Sequence, residues 1–525
     1  MSLNPKAPRI PDLLAALYQP ILPLLKKIRV TRTGYRDCNP QDILVPKGFT
    51  VELVASGFNA PTHCCFDDQG YCYISETGHK INAKPRILKV DVQSGTYETW
   101  IELPEDRWTK TGALTGACWH DNALYIMNTH ELLRLNSEGD LEEIITGLPG
   151  LGDHQSNYPV VGTDGKIYFG QGCATNCGVV GTDNFAYEWL PTFPEFCDVP
   201  AQDIVLSGRN YEYRNVLDTV LDKVRTGAYV PFGTETTAGQ IIKGNVKCSG
   251  SILRCNPDGS ELEVVAWGLR NPYGIAFHPD GRLFTTEHGM DERGQRFVVD
   301  DWDDFYEVKE GEWYGWPDFA SGYRLDDEYW GELGRGREPV LAEFPNPSPP
   351  RPLVSFERHA GANGVNISAD ERFGFVGHAF VAQFGDIAPI TTPRLATPAG
   401  FKVVRIDIES RQIVDFAVNK FAGPASKLPH NGFERPSHCQ FGPDGALYVV
   451  DFGEVEIAPE RGGIRMPLGS GALWRIRRAD GDYGERPPEP TAIPLYAMIG
   501  AAVLGSITAA VAGFVWLVRR LSKKR

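Results

Sequence analysis

Six times between residues 46 and 478, a short turn built on Asp or Asn, usually with Gly, runs into an apolar–aromatic stretch of strand length. The copies read FDDQGYCYISE from Phe66, HDNALYIMN from His120, GTDGKIYFGQG from Gly162, HPDGRLFTTEHG from His278, SADERFGFVGHAFVAQFG from Ser368 and GPDGALYVVDFG from Gly442. Several are followed by a second run of alternating polarity, as in RILKVDVQSGTYETW, SILRCNPDGSELEVV and GFKVVRIDIESRQIV. Turn residues that tolerate positive φ, set between period-two runs, are hairpin signals. A meander repeated in this way buries its faces only against its neighbours, which is the logic of a β-propeller. The expected fold is all-β: a six-bladed β-propeller over 43–478, with a long insertion at about 178–247 between the third and fourth copies.

The 56 Gly and 39 Pro suit such a turn-rich chain. The insertion is aromatic (Phe185, Tyr187, Trp189, Phe193, Phe196), and RNVLDTVLDKVRTG from Arg214 reads as its one helical stretch. Two roles stay open for it, a lid or an exposed decoration. A net charge of -15 argues against nucleic acid as a partner, because phosphate binding wants a basic face.

The 11 Cys include no zinc-type CxxC pair. Cys173 and Cys177, with Cys197, Cys248 and Cys255, are expected to form at least one disulfide if the domain is exported; buried free thiols are the alternative. Residues 492–518 carry no charge over a length that spans a bilayer, and the basic tail 519–525 follows. The positive-inside rule puts that tail in the cytoplasm and the propeller outside, on a single-pass membrane protein tethered by a 479–491 linker. Ala501, Gly505, Ala509 and Gly513 form a small-residue seam through which two copies could pair. The amphipathic segment 1–42 has no signal-peptide pattern, so the export route is unassigned.

Repeat register locates the chemistry. Asp153, His154 and Gln155 precede the apolar strand of the third copy, GLRNPYG from Gly268 that of the fourth, and ERPSH from Glu434 that of the sixth. Equivalent places in the repeat bring His154, Arg270 and Arg435 to one mouth of the channel, with Asp153 able to orient the imidazole. Glu287 and His288 in TEHGMDERG add a second polar layer or a cation site. The acidic run Asp300, Asp301, Asp303 and Asp304 offers oxygen ligands for calcium, or else is a solvated loop.

DHQSNYPVVGTDGKIYFGQG, GLRNPYGIAFHPDGRLFTTEHG with WYGWP downstream, and ERPSHCQFGPDGALYVVDFG resemble the glucose/sorbosone dehydrogenase family. The resemblance implies a six-bladed propeller using pyrroloquinoline quinone (PQQ) and calcium to oxidise a sugar or related alcohol. It implies His154 as general base, Asp153 as its orienting carboxylate and Arg270 beside the quinone. It matches Arg435 to an arginine that holds the cofactor's carboxylates, and Gly289 and Met290 to backbone carbonyls on its calcium. Gln155 and His288 are expected as further cofactor contacts, and Asp303, from the acidic run, as a calcium carboxylate. The pattern departs from the family at three places: Ser437 replaces an arginine, Phe384 and Gly385 replace a lysine, and Thr111 replaces a glutamine. A cofactor with three carboxylates thereby loses two cationic contacts of about 1.5–3 kcal/mol each.

Three functional classes follow. The first is a membrane-anchored quinoprotein dehydrogenase with an unidentified electron acceptor, in which Arg270 stabilises a developing oxyanion. The second is a lactonase-like hydrolase whose calcium sits on Glu76, Glu287 and Asp451. The third is a non-catalytic binding propeller.

Overall fold

The computed structural model describes residues 36–479 apart from 79–82, 108–113, 187, 219–221, 333–337, 345–347, 389–397 and 459–462. Within them the chain is all-β, and the α-helical segments, Thr182–Ala186, Trp189–Thr192 and Glu328–Glu332, are single turns.

The turn motif forms what its residues dictate. Asp67 Oδ1 accepts the backbone N–H groups of Gln69 (3.0 Å) and Tyr71 (2.9 Å), which closes the turn over Gly70 at φ +88°. The other carboxylate oxygen accepts a tyrosine hydroxyl from the following strand. This pairing recurs as Asp67–Tyr73 (3.2 Å), Asp164–Tyr168 (2.9 Å) and Asp444–Tyr448 (3.0 Å).

Each motif joins the first two strands of a four-stranded antiparallel sheet. The leading strands are Pro61–Phe66, Leu114–His120, Ser156–Val161, Pro272–Phe277, Ala362–Ile367 and Pro436–Phe441. Each packs against the next, and the sixth returns to the first. All six carry a register shift near their N-terminal end, for example between Ser156 and Pro159 and between Pro272 and Ile275. A bulge bends the strand and re-aims the residues before it, which are the residues singled out by the repeat register. The leading strands approach closely enough to require glycine. A Cβ on Gly274 would lie 2.4 Å from the Asn363 carbonyl oxygen, and one on Gly364 would lie 2.2 Å from His438 Nδ1. The sixth sheet pairs Phe49–Phe58 with Gly471–Arg478, so the two ends of the described chain share one sheet. Ile43–Leu44 adds a fifth strand to the fifth sheet.

The helix expected at 214–227 is instead part of a hairpin, Asn210–Arg214 with Lys223–Gly227. Asn215 Oδ1 accepts the N–H groups of Leu217 and Asp218, which starts a turn where a helix would have continued. Tyr213 is buried opposite Val224 while Arg214 and Lys223 face out, a period of two. The insertion is packed on the body: Ile204–Ser207 joins Ala238–Ile242 and Ala342–Glu343 in a sheet of its own.

Two further expectations are corrected. All 11 cysteines are free thiols, because Cys173 and Cys177 pack in one apolar cluster, Cys248 and Cys255 in another, and Cys197 against a third. The acidic run is no solvated loop: Asp301, Asp303 and Asp304 are buried at the start of the strand Trp302–Val308. The expected span 492–518, the segment 1–35 and Thr111 lie outside the described residues. Among the described residues no helix is long and apolar enough to cross a membrane.

Candidate active site

The loop carrying Asp153 and His154 is held as an extension of the hairpin behind it. Asp153 N–H donates to the Ala174 carbonyl (3.0 Å), His154 N–H to Cys173 (3.1 Å), and Gly172 N–H to Gln155 (3.0 Å). Gly152, at φ +147°, leaves no room for a side chain, since its Cβ would sit 2.5 Å from Ala174. Behind this pairing Asp198 accepts the Ala174 N–H (2.6 Å) and the Thr175 hydroxyl (2.5 Å).

His154 Nδ1 lies 3.1 Å from the Cys173 carbonyl oxygen. A carbonyl only accepts, so Nδ1 carries the hydrogen, and the Nε2 lone pair is left to the cavity that His154 lines. Burial holds the imidazole pKa well below 6.5, and the positive charges of Arg270 and Arg293 push it the same way. His154 is therefore a neutral, fixed-tautomer base.

Asp153 does not orient it. Its Oδ1 accepts from Asn184 Nδ2 (2.8 Å) and its Oδ2 from Arg293 Nη2 (2.6 Å). Arg293 also binds Asp183 (2.7 Å) and Asp291 (3.1 Å), so this one guanidinium gathers three carboxylates at the cavity edge. Burial raises the Asp153 pKa while Arg293 opposes the rise.

Arg270 also lines the cavity, buried and fully committed. Nε donates to the Asn176 carbonyl (3.2 Å), Nη1 to the carbonyls of His288 (3.4 Å) and Gly289 (2.6 Å), and Nη2 to Asn176 Oδ1 (2.8 Å) and Asp291 (3.1 Å). Those contacts use all five guanidinium hydrogens. The oxyanion contact expected of it has no donor left, and Arg270 acts through its charge and by fixing this wall.

His288 Nε2 donates to the Ala362 carbonyl (3.1 Å), and its Nδ1 meets Asn271 Nδ2 at 2.9 Å. Both ring nitrogens are occupied and the ring stacks on Tyr273, so His288 is a wall rather than a base.

Arg435 does not face the cavity. Nη1 donates to the carbonyls of Phe384 (3.3 Å), Gly385 (3.0 Å) and Asp386 (3.1 Å), which do line it, and the guanidinium lies between the rings of Phe384 and Phe401. Burial lowers its pKa to about 10. It secures the wall from behind. Ser437 is buried too, donating to Pro61 and Val450 carbonyls.

Of the expected calcium ligands, Asp303 accepts the N–H groups of Gly289 and Ala362 (both 3.0 Å), one on each oxygen. Met290 lies outside the main cavity. It borders a space of about 20 Å³ behind Arg270, together with Gly289, Glu287, Asp301 and Asp304. Glu76 pairs with Arg86, and Asp451 with Arg36 and the sixth-sheet loop, so the hydrolase set Glu76, Glu287 and Asp451 does not converge.

The main cavity has a volume of about 300 Å³. Gln155 lines it as expected, and so do residues the repeat register does not reach: Trp189 from the insertion, Asp291, Arg293, His359, Asn363 and Asp386. The aromatic content of the insertion was the one available signal, for Trp189.

Comparison with known proteins finds similarity over part of the chain. The sequence is 26% identical over 313 residues to quinoprotein glucose dehydrogenase B of Acinetobacter calcoaceticus, covering 54% of this chain and 55% of that one. It is 24% identical over 205 residues to an uncharacterized protein of Borreliella burgdorferi, covering 38% and 50%. The chain thus spans about half the length of the curated relatives it matches. In fold it resembles the holo pyranose dehydrogenase PQQ domain of Coprinopsis cinerea (TM-score 0.52, 14% identity, 85% of this chain and 99% of that one). It also resembles the calcium structure of the Trichoderma reesei carbohydrate-active enzyme of family AA12 (TM-score 0.51, 12% identity, 86% and 100%). Residues 230–385, which hold Arg270, His288, Gly289, Asp303 and His359, match the family model for glucose/sorbosone dehydrogenases.

Proposed function

We propose that this protein is a PQQ- and calcium-dependent dehydrogenase that oxidises a hydroxyl or hemiacetal of a sugar or related alcohol, on a six-bladed propeller whose blades are the six sheets. The observation that carries the proposal is the His154–Cys173 contact, which leaves a neutral imidazole with its lone pair on the cavity.

The residues present suit the cofactor on one condition. A cavity of about 300 Å³ with Trp189 and Phe384 in its walls accommodates a planar polycyclic acid. Two guanidiniums, Arg270 and Arg293, face four lining carboxylates, Asp153, Asp291, Asp303 and Asp386. A tricarboxylate adds like charge, so it fits only together with a divalent cation. The smaller space suits one: Gly289 and Met290 border it with Glu287, Asp301 and Asp304, and Glu287 Oε2 is buried without a partner among the described residues.

When bound, PQQ supplies the acceptor for the hydride of the substrate carbinol. The protein supplies the rest. His154 Nε2 takes the hydroxyl proton, the Cys173 carbonyl keeps the ring in the tautomer that can do so, and Arg270 with Arg293 favours the neutral starting state. Arg435 and Arg270 each hold a wall segment by binding its carbonyls. Sugar-dependent dye reduction by protein given PQQ and calcium tests the proposal; no turnover and no visible-spectrum change on cofactor addition would reject it.

The charge-free stretch 492–518 and the basic tail support a single membrane anchor with the propeller outside. Protease added to intact cells should then remove the propeller and spare the tail; a tail digested from outside would reject that topology.

A further inference from the structure

The geometry points to a second metal site, formed by Glu292, Asp300 and His359, that binds a divalent first-row transition metal of the zinc or cobalt type on the wall of the cavity. One carboxylate oxygen from each acid and one imidazole nitrogen lie within 4.8 Å of one another. His359 Nε2 and Glu292 Oε1 are 4.0 Å apart, too far for a hydrogen bond. A cation bonded to each at about 2.0–2.2 Å needs ligand atoms roughly 3–4 Å apart, so small rotations complete the set.

The imidazole is what points to a ligand. The His359 side chain is only 7% exposed, and its Nε2 has no hydrogen-bond partner among the described residues. A buried ring nitrogen left unpaired carries an uncompensated desolvation penalty; a metal bond removes it. The acids remain available. Glu292 Oε1 accepts the Asp300 N–H (3.1 Å), an oxygen that keeps a further lone pair, and Arg358 occupies only Asp300 Oδ2 (2.9 Å). Two carboxylates against one guanidinium leave the cluster net negative.

The residues differ from those bordering the smaller space, and so does the chemistry. An imidazole nitrogen with two carboxylates favours zinc-like ions over calcium, which prefers an all-oxygen shell. Because His359 lines the cavity, a metal there would fasten the segment 289–300 to the turn at His359 beside the substrate.

The test uses full-length protein stripped with chelator and then held in excess calcium. Co²⁺ alone is titrated and read by its visible absorption, and Zn²⁺ is counted by equilibrium dialysis. One calcium-resistant ion per chain is expected. Glu292→Gln, which keeps the Asp300 bond, and His359→Asn, which tolerates the left-handed backbone at φ +59°, should each weaken binding by about ten-fold or more. No calcium-resistant ion, or unchanged affinity in folded Glu292→Gln, overturns the site. Should His359→Asn fail to fold, Glu292→Gln decides alone. The result is independent of turnover, so it stands apart from the dehydrogenase reading.

Discussion

The ring of His154 points its Nδ1–H at the carbonyl oxygen of Cys173, 3.1 Å away, and not at the carboxylate of Asp153 beside it in sequence. A neutral carbonyl fixes the tautomer without adding negative charge that would raise the imidazole pKa. Burial and two nearby guanidiniums then keep the base unprotonated.

The first consequence is a pH profile. A base with a lowered pKa is charged only at pH values well below 6.5, so kcat/KM should hold as pH falls through 6.5 and decline only further down. An acid limb centred at or above 6.5 would contradict the assigned environment of His154.

Asp153→Asn separates orientation from structure. The variant removes a charge from Arg293 but leaves the His154–Cys173 contact intact. Stability should fall by about 1–3 kcal/mol in denaturant unfolding, the range for a disturbed buried polar group, while turnover falls less than about ten-fold. A loss of turnover as large as that of a His154 variant would show that Asp153 acts on the base after all.

What the sequence made legible follows from what is local. The turn Asp, its Gly and the strand after them carry their own instructions, and equal positions in the repeat suffice to bring His154 and Arg270 to one cavity. Long-range partners carry no such mark. Arg293 reaches Asp153 across 140 residues from a segment without periodicity. Arg435 sits at the expected place in the repeat, yet it turns toward the carbonyls of 384–386, whose position is set far from it in sequence. The hairpin at 210–227 is masked by Leu and Val at helical spacing, and only the Asn215 turn reveals it.

Asp198 gives a prediction on the alkaline side. Burial raises its pKa from 3.8 to about 7. A folded-state value above the unfolded one means that its contribution is complete below pH 3.8 and is lost as pH rises through about 7. Asp198→Asn cannot ionise. Its melting temperature relative to wild type should therefore rise between pH 5 and pH 8, one pKa unit being about 1.4 kcal/mol. A constant difference across that range would count against a buried, protonated Asp198.

The thiols should be reduced and slow to react. Burial raises Cys177 and Cys197 to about 12 and Cys248 to about 11, so little thiolate exists at neutral pH. Mass mapping without reduction should find no bridge among Cys173, Cys177, Cys197, Cys248 and Cys255, and native alkylation should be at least about ten-fold slower than in denaturant. One bridge would restore the disulfide expectation.

The central claim is that His154 is the proton acceptor for alcohol oxidation, and His154→Ala assayed with PQQ, calcium and the best sugar found tests it most directly. Removing a positioned general base should lower kcat by about 10²–10⁴-fold, with cofactor binding and melting temperature close to wild type because a loop side chain carries little core packing. Turnover within a few-fold of wild type, in a variant that still binds the cofactor, would contradict the account.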